Sequence, residues 1–488
     1  MAAVAPSYLA IDLGATSGRA VVGTLEGATM RTREVHRFRT PLVETPGHLC
    51  WDIDGLWTEI KSGLARALDA APALRSVSVD SWAVDYVSLG ADGTPLHLPF
   101  SYRDRRTAGR LGGALAAAGG AHALYERTGI QLLEFNTLPQ IVCDLQDEPA
   151  EVARTASRLM IAEYFLYRLS GRRVAERTNA STTQLLDART GRWADDIIRA
   201  IGDDPARWPS VERAGAALGP VQHEAMPGGM AHVPLVLATC THDTAAAVAA
   251  VPALDGRAFA YISSGTWSLV GTELHAPLLS PEARAAGFTN EAGLGDSVRF
   301  LKNRMGMWVL EECTREWSAH GERPSYDALL ADAAREPGRA ILDLNAPTFA
   351  ERGDMVAKIE SACRIHGVPV PPSRGALVRL VLGSLAADYA QTLVQLEMLT
   401  GKHAEYLHIV GGGSRNGLLN QLASDACQRT VVAGPVEAAV LGNLLVQAHS
   451  LGDLPAGVSV REAARRSATT STYTPRNAGE RPAARFAF

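Results

Sequence analysis

The chain has 488 residues, 47% of them hydrophobic and 20% charged, and carries a formal net charge of −5. That length exceeds what one hydrophobic core serves and predicts two domains, or three. The acidic balance excludes a surface built to track nucleic-acid phosphates, and six cysteines with no C-x-x-C spacing exclude a zinc ribbon or a disulfide framework, pointing to reduced thiols in the cytoplasm.

The opening "MAAVAPSYLA" has no basic n-region and is interrupted at Asp12, so it reads as neither a signal peptide nor a membrane span. The apolar stretch from Leu235 to Val251 is broken by His242 and Asp243, and no run reaches the roughly 18 residues a span needs. Residues 8–24 predict a β-hairpin turning at "GATSG", and "REVHRFRT" supplies a further strand. Asp54 then caps a helix on which Leu56, Ile60, Leu64 and Leu68 recur every four residues. "LRSVSVDSWAVDYVSLGADG" reads as strand, irregular turn, strand and tight turn. The order is α/β with antiparallel hairpins at its start.

A similar hairpin recurs at 259–274, "FAYISSGTWSLVGTEL", where Ile262-Ser263-Ser264-Gly265 lines up with Ile11-Asp12-Leu13-Gly14. The spacing of about 250 residues is half the chain, as a duplicated domain would give. The breaks in "AVPALDGRA" place the boundary there, giving domains at 1–252 and 253–455 and a C-terminal helix and tail at 456–488. Residues 375–400 read as a long helix, "YLHIV" as a strand, and a helix starts near Ser414. The Pro/Arg-rich tail after Tyr473 reads as poorly ordered.

Three stretches carry chemistry. The first turn is either a hairpin of small residues or a phosphate clasp: Gly14 and Gly18 allow close backbone approach, Thr16 and Ser17 offer hydroxyls, and Arg19 offers a fork matched to phosphate. A carboxylate such as Asp12 beside polyphosphate is repulsive unless Mg²⁺ lies between them. There is no Walker sequence here. In "YLHIVGGGSRN", Gly411 to Gly413 mark either a tight strand-to-helix turn or a seat for a flat or charged ligand. In "THDTAAAVAAV", Asp243 is either a helix N-cap or a base flanked by His242 and Thr244. The helix start is expected to depress its pKa. That weak base suits phosphoryl transfer, in which positioning outweighs base strength.

Taken together, "AIDLGATSGRA", "VDSWAVDY", "SYRDRRT", "GIQLLEFNTL", "TNASTTQLLD", "THDTAAAV", "ISSGTWSLVG", "TNEAGLG", "LKNRMGMWVLEE" and "LHIVGGGSRNGLLNQLASDA…VVAGPVEAAVLGN" resemble the FGGY carbohydrate kinases of the actin-like ATPase superfamily, from about residue 8 to residue 455. The first hairpin is common to that superfamily. "SSGTWSL", "LKNRMGMW" and "GPVEAAVLGN" resemble the branch that acts on L-rhamnulose. The resemblance implies two actin-like (ribonuclease H-like) domains with an ATP and sugar cleft between them. It implies phosphorylation of the 1-hydroxyl of L-rhamnulose by ATP, in rhamnose catabolism. It places Ala15, Thr16, Ser17, Gly18 and Arg19 on the ATP phosphates with Asp12 at Mg²⁺, makes Asp243 the base, and sets His242, Thr244, Ala83 and Asn303 on the sugar. Thr266, Glu311 and Gly412 fall to ATP. The family usually has glycine where Ala83 stands, and relatives can carry glutamine where Glu311 stands. Ser414 follows the glycines where some relatives have cysteine, so no disulfide carries over from them. Partners are then a ketose and ATP, with no nucleic acid or membrane, in a monomer or homodimer.

Two other readings are open. One is a family kinase for L-fuculose, L-xylulose, D-xylulose or glycerol. The other is a catalytically silent actin-like nucleotide binder, which would have no use for a base at Asp243. "SYRDRRTAGR" is either a solvated basic face or a loop at a cleft.

Overall fold

The expected hairpin pairs the strand Ser7–Leu13 with Ser17–Glu26 in antiparallel register, from Ser7 opposite Thr24 to Leu13 opposite Gly18. Every residue of Ser7–Leu13 is buried, which marks it as a strand covered on both faces. The computed structural model describes residues 5–227, 232–254, 256–321, 325–338 and 340–476. Most of the tail expected to be poorly ordered, residues 477–488, lies outside them.

The chain divides into two compact units. The first runs to Pro252 and takes in Glu273–Phe300 and Ala438–Ser467; the second holds Ala253–Thr272, Leu301–Glu437 and the residues from Ala468 onward. The first break coincides with the sequence boundary at 252. The later segments show that each unit is discontinuous, whereas the linear division assigned all of 253–455 to one domain.

In the first unit a six-stranded sheet has the spatial order Ala216–Pro220, Leu235–Ala238, Leu74–Ser81, Ser7–Leu13, Ser17–Glu26, Thr29–Arg39. Ser7–Leu13 and Leu74–Ser81 are parallel, as are Leu74–Ser81 and Leu235–Ala238, while Ala216–Pro220 closes the edge antiparallel. A second sheet repeats this order with Ser471–Tyr473, Thr430–Ala433, Tyr406–Val410, Phe259–Ser264, Trp267–Leu274 and Val298–Met305, and adds a seventh strand, Thr289–Ala292, beyond the last. Its first hairpin is again antiparallel, the next two strands again parallel, and its edge strand again antiparallel. Six strands of the two sheets match in order, which is the architecture of a duplicated α/β domain.

The helix Ile53–Ala70 covers the first sheet with Ile53, Leu56, Trp57, Ile60, Leu64, Ala67 and Leu68, an i, i+3, i+4, i+7 face. Each such fully buried aliphatic side chain contributes about 1.5–3 kcal/mol. Its N-cap is Asp52, whose side chain accepts from Gly55 N at 2.9 Å; Asp54, expected in that role, lies inside the first turn. Arg374–Thr400 is long and apolar enough to cross a membrane, contrary to the expectation that no stretch is; 72% of its most apolar window is buried inside the protein, as in a core helix. The basic stretch at 101–110 is mixed, with Arg105 exposed and one arginine turned inward. Arg106 is buried in an ion pair with Asp144, its guanidinium 4.0 Å from the centre of the Phe100 ring.

Candidate active site

In the first unit, three loops at the C-terminal ends of parallel strands hold the polar residues. Asp12 stands at the end of the central strand, opposite Asp80 on one neighbour and opposite Arg19 on the other. Residues in register point to the same face of a sheet, so two aspartates and an arginine share one. Arg19 donates to Asp12 Oδ2 from Nε at 2.8 Å and from its terminal nitrogen at 2.7 Å. Asp80 is fully buried. Its Oδ2 accepts from Asn443 Nδ2 at 2.6 Å, while Oδ1 has no hydrogen-bond partner among the described residues. Gln447 continues the chain, donating to Asn443 Oδ1 at 2.7 Å and to Leu9 O at 2.9 Å, with Ser76 donating to its Oε1 at 2.6 Å. Burial, then the Asp12 charge, pushes the Asp80 carboxyl well above the usual carboxylate range, and Asp243 adds to the push. Neither Asp80 nor its amide partners stood out in the sequence.

The turn from Leu13 into Ser17 is shaped by Gly14 N donating to Ser17 O at 3.1 Å and Thr40 Oγ1 donating to Gly14 O at 2.9 Å. Ala15 is half-buried and Thr16 exposed. Gly18 also has a packing reason: a Cβ there would lie 2.3 Å from the Phe38 ring.

Asp243 is the first residue of the helix Asp243–Ala249, and its N-cap is His242. The N-cap reading of the aspartate is therefore replaced by one in which the carboxyl is available. Thr244 Oγ1 donates to Asp243 Oδ1 at 3.1 Å. The expected depression of the Asp243 pKa is reversed: burial, and next the charge of Asp12, raise it to about 7. A helix terminus is worth roughly 0.3–1 kcal/mol, whereas a rise of about three units corresponds to about 4 kcal/mol. Solvent at the edge of a side chain that is 30% exposed trims that figure without bringing it down to the dipole's size.

His242 is buried between Arg299, whose terminal nitrogen is 3.0 Å from Nδ1, and Asp243, whose Oδ1 is 3.6 Å from Nε2. Burial, reinforced by Arg299, pushes the imidazole well below the usual histidine range. Beneath this loop lie two fully buried glutamates. Glu163 accepts from Thr241 Oγ1 at 2.6 Å and from Asn179 Nδ2 at 2.9 Å; Glu176 accepts from Thr241 N at 3.0 Å and Thr178 N at 3.0 Å. Burial raises both, Glu163 to about 7. The sequence signal for Glu163 was an acid on the apolar face of "IAEYFLYRL".

Ala83 is half-buried in the turn that follows Leu74–Ser81. Next to it Val84 has φ +71, a left-handed conformation that costs a β-branched residue strain. Thr137 Oγ1 donates to Val84 O at 2.7 Å, and Asp85 anchors the turn by accepting from Trp51 Nε1 (2.7 Å), Trp82 Nε1 (3.1 Å), Tyr102 N (3.1 Å) and Gln140 Nε2 (3.0 Å).

The second unit gathers another set. A Cβ on Gly306 would lie 2.5 Å from the Trp267 carbonyl carbon and 2.7 Å from the oxygens of Gly265 and Thr266, so this glycine lets the Gly265–Thr266 turn lie on the start of the helix Trp308–Ala319. Met307 N and Trp308 N donate to Gly265 O and Thr266 O at 2.9 and 3.2 Å. Glu311, exposed on that helix, takes the Thr266 hydroxyl at 3.5 Å. The three glycines after Tyr406–Val410 differ in role. Gly411 has φ +84, a Cβ on Gly413 would fall 2.0 Å from Ser264 Oγ, and Gly412 has nothing within 4 Å of such a Cβ. Gly412 is thus the open one. Residues Gly412–Arg415 form a 3-10 turn, and the helix expected near Ser414 begins instead at Gly417, capped by Asn416 Oδ1 accepting from Leu419 N at 2.9 Å. Asn303 is half-buried on Val298–Met305, flanked by Lys302, which donates to Gln395 at 3.1 Å, and by Arg304 paired with Asp388. The structure therefore groups Asp12, Arg19, Ala83, His242, Asp243 and Thr244 in the first unit, and Thr266, Asn303, Glu311 and Gly412 in the second.

Two family models match the chain: the N-terminal domain of the FGGY carbohydrate kinases over residues 7–250 and the C-terminal domain over 260–451. A rhamnulokinase of Bacteroides thetaiotaomicron is 38% identical over 96% of this chain and 96% of its own length. One of Pectobacterium carotovorum is 42% identical over 96% of the chain and 93% of its length. Among solved structures, a xylulose kinase from Lactobacillus acidophilus superposes with a TM-score of 0.78 at 15% identity, over 96% of this chain and 94% of that one. A Plasmodium falciparum glycerol kinase with ADP gives 0.78 at 14% identity, over 97% and 94%. At such identities the structural likeness establishes the two-domain fold.

Proposed function

Because the chain belongs to the FGGY family of carbohydrate kinases, we propose that it transfers the terminal phosphoryl group of ATP to the 1-hydroxyl of L-rhamnulose. Family membership makes it an ATP-dependent sugar kinase; the acceptor follows from the curated relatives. The observation that carries the chemistry is Asp243, a carboxyl held near pKa 7 at the mouth of a short helix. A general base works best when its pKa lies near the working pH. Thr244 occupies Oδ1 and fixes the rotamer, which leaves Oδ2 to take the hydroxyl proton as the phosphoryl group arrives. His242 and the turn at Ala83 hold the sugar. Gly412 offers an open backbone seat for the nucleotide, and Thr266 and Glu311 lie on the same unit. The turn at Ala15–Ser17, where Thr16 is exposed, takes phosphate oxygens beside Arg19, whose fork is held by Asp12.

Among the described residues no group of three His, Cys, Asp or Glu side chains is close enough to ligate one metal ion directly. Mg²⁺ nonetheless fits: it keeps most of its waters and needs only one or two carboxylates. Asp12 and Asp80 supply these, and the orphaned Oδ1 of Asp80 is an acceptor awaiting a proton or a hydrated cation. The ion would screen phosphate charge there. Asp12→Ala is expected to raise the Mg²⁺ concentration for half-maximal rate several-fold at saturating sugar; an unchanged magnesium titration and rate would remove Asp12 from this role. Six free, buried cysteines suit the cytoplasm, where we place the enzyme.

Coupled ADP release against L-rhamnulose, L-fuculose, L-xylulose, D-xylulose and glycerol tests the acceptor. L-rhamnulose is expected to give the highest kcat/KM. A pentulose in first place overturns the assignment, and reversal of that order by Ala83→Gly would trace it to one methyl group, worth about 1–3 kcal/mol when badly placed.

A further inference from the structure

Arg299 lies 57 residues from His242 in sequence and is fully buried in the first unit. Its Nε donates to Ala292 O at 3.0 Å, and one terminal nitrogen meets both His242 Nδ1 at 3.0 Å and Glu291 Oε2 at 3.0 Å. A guanidinium has donors only. The ring nitrogen facing it at 3.0 Å must therefore present a lone pair, which excludes hydrogen from Nδ1. Glu291 offers the competing arrangement, an Nδ1–H given to its carboxylate, but its oxygen, which makes an ion pair with Arg299 and no hydrogen bond among the described residues, is 3.5 Å from Nδ1, whereas the guanidinium nitrogen is 3.0 Å away. A ring flip would set a carbon-bound hydrogen against the guanidinium, leaving a buried donor unmet. Double protonation would place two cations side by side out of water. One state remains: neutral imidazole with its hydrogen on Nε2. Asp243 Oδ1 lies 3.6 Å from that nitrogen, too far for a hydrogen bond. The Nε2–H is thus a donor left for a ligand.

We propose that Arg299 is a positioning residue that holds His242 as the Nε2–H tautomer, so that the imidazole always donates to an oxygen of the acceptor sugar and never competes with Asp243 for the hydroxyl proton. The second half of this statement rests on the sugar-kinase reading; the tautomer does not. Glu291 balances the Arg299 charge, which lets the guanidinium stay buried beside a neutral ring. The specificity consequence is chemical: the sugar atom facing His242 must offer a lone pair, as a ketose carbonyl or hydroxyl oxygen does, and an analogue with a methylene there leaves the donor unmet.

The test begins with the native protein and no substrate. Histidine labelled with ¹⁵N at both ring positions, with the His242 signals among the thirteen histidines assigned by their loss in His242→Asn, is expected to show a protonated-type Nε2 and a bare Nδ1 at neutral pH. An Nδ1–H or doubly protonated ring overturns the inference, whatever the enzyme phosphorylates. The double variant Arg299→Met/Glu291→Gln, which leaves no charge unpaired, is expected to lose this tautomer and to raise the KM for the ketose about 10–100-fold, with the KM for ATP unchanged. Arg299→Lys keeps a group that only donates and is expected to retain the tautomer. An unaltered tautomer or ketose KM in the double variant overturns the positioning role. Native Nε2–H together with no activity on L-rhamnulose would reject the acceptor and leave the tautomer standing.

Discussion

Asp243→Asn is expected to lower kcat about 10²–10⁴-fold with little change in nucleotide affinity. The amide keeps the shape of the carboxylate and its contact with Thr244 but accepts no proton. In the native enzyme, kcat should climb with pH and level off above about 7, where Asp243 is ionised; the residual rate of the variant should lack that limb. Stability should move the other way. Asp243 titrates near 7 in the folded chain, against about 3.9 when unfolded. The folded state therefore binds the extra proton between these values, and the stability it brings is complete below about pH 4 and lost as pH rises through 7. Asparagine carries no ionisation penalty. The variant should melt above the native protein at pH 8 and close to it at pH 4. Retention of a tenth or more of native turnover would reduce Asp243 to a structural residue.

The second large effect is expected from Gly442→Ala in the helix Ala438–Ser450. Helix propensity alone predicts a gain of about 1 kcal/mol, since alanine outranks glycine in a helix interior. Packing predicts the reverse. A Cβ at residue 442 would lie 1.8 Å from the carbonyl oxygen of Ala246 and 2.6 Å from its carbon, in the helix that begins at Asp243. Backbone cannot swing aside as a side chain can. The two helices must part, at a cost of about 1–3 kcal/mol or more, and a shift of about 1 Å in a reacting group can lose 10²-fold in rate. Calorimetry and steady-state rates decide the sign: a melting temperature at or above the native value with unchanged kcat would show that the helices have room.

Both hairpins were legible because small, turn-forming residues interrupt apolar runs, and the pairing of Ile11-Asp12 with Ile262-Ser263 was enough to expect a repeat that the strand order then displays across six strands. The Tyr406–Val410 strand and its glycines were legible for the same reason. What the linear pattern did not reveal was long-range electrostatics and packing. Asp243 reads as a weak base at a helix start only while its burial, and after that the charge of Asp12 more than 200 residues away, are left out of account. Arg299 carries no local mark at all, since "VRFLKNRM" is an ordinary strand whose first arginine turns inward to a histidine. Packing was equally hidden at Gly18, where the Phe38 ring leaves no room for a Cβ.

The chain changes unit after residues 252, 272, 300, 437 and 467, and this limits how its gene can be cut. Ending the reading frame at codon 252 frees no half-enzyme. The polypeptide produced would contain Asp80 without Asn443 or Gln447, and His242 without Arg299 or Glu291. Its partner fragment would carry Asn443 and Gln447 without the Asp80 and Ser76 they meet, and Arg299 and Glu291 without the histidine they face. Split reporters, swapped halves between relatives and stepwise truncations all presuppose that a stretch of sequence equals a stretch of structure. Here the exchangeable part is the whole coding region, because each unit is assembled from three separate stretches of it.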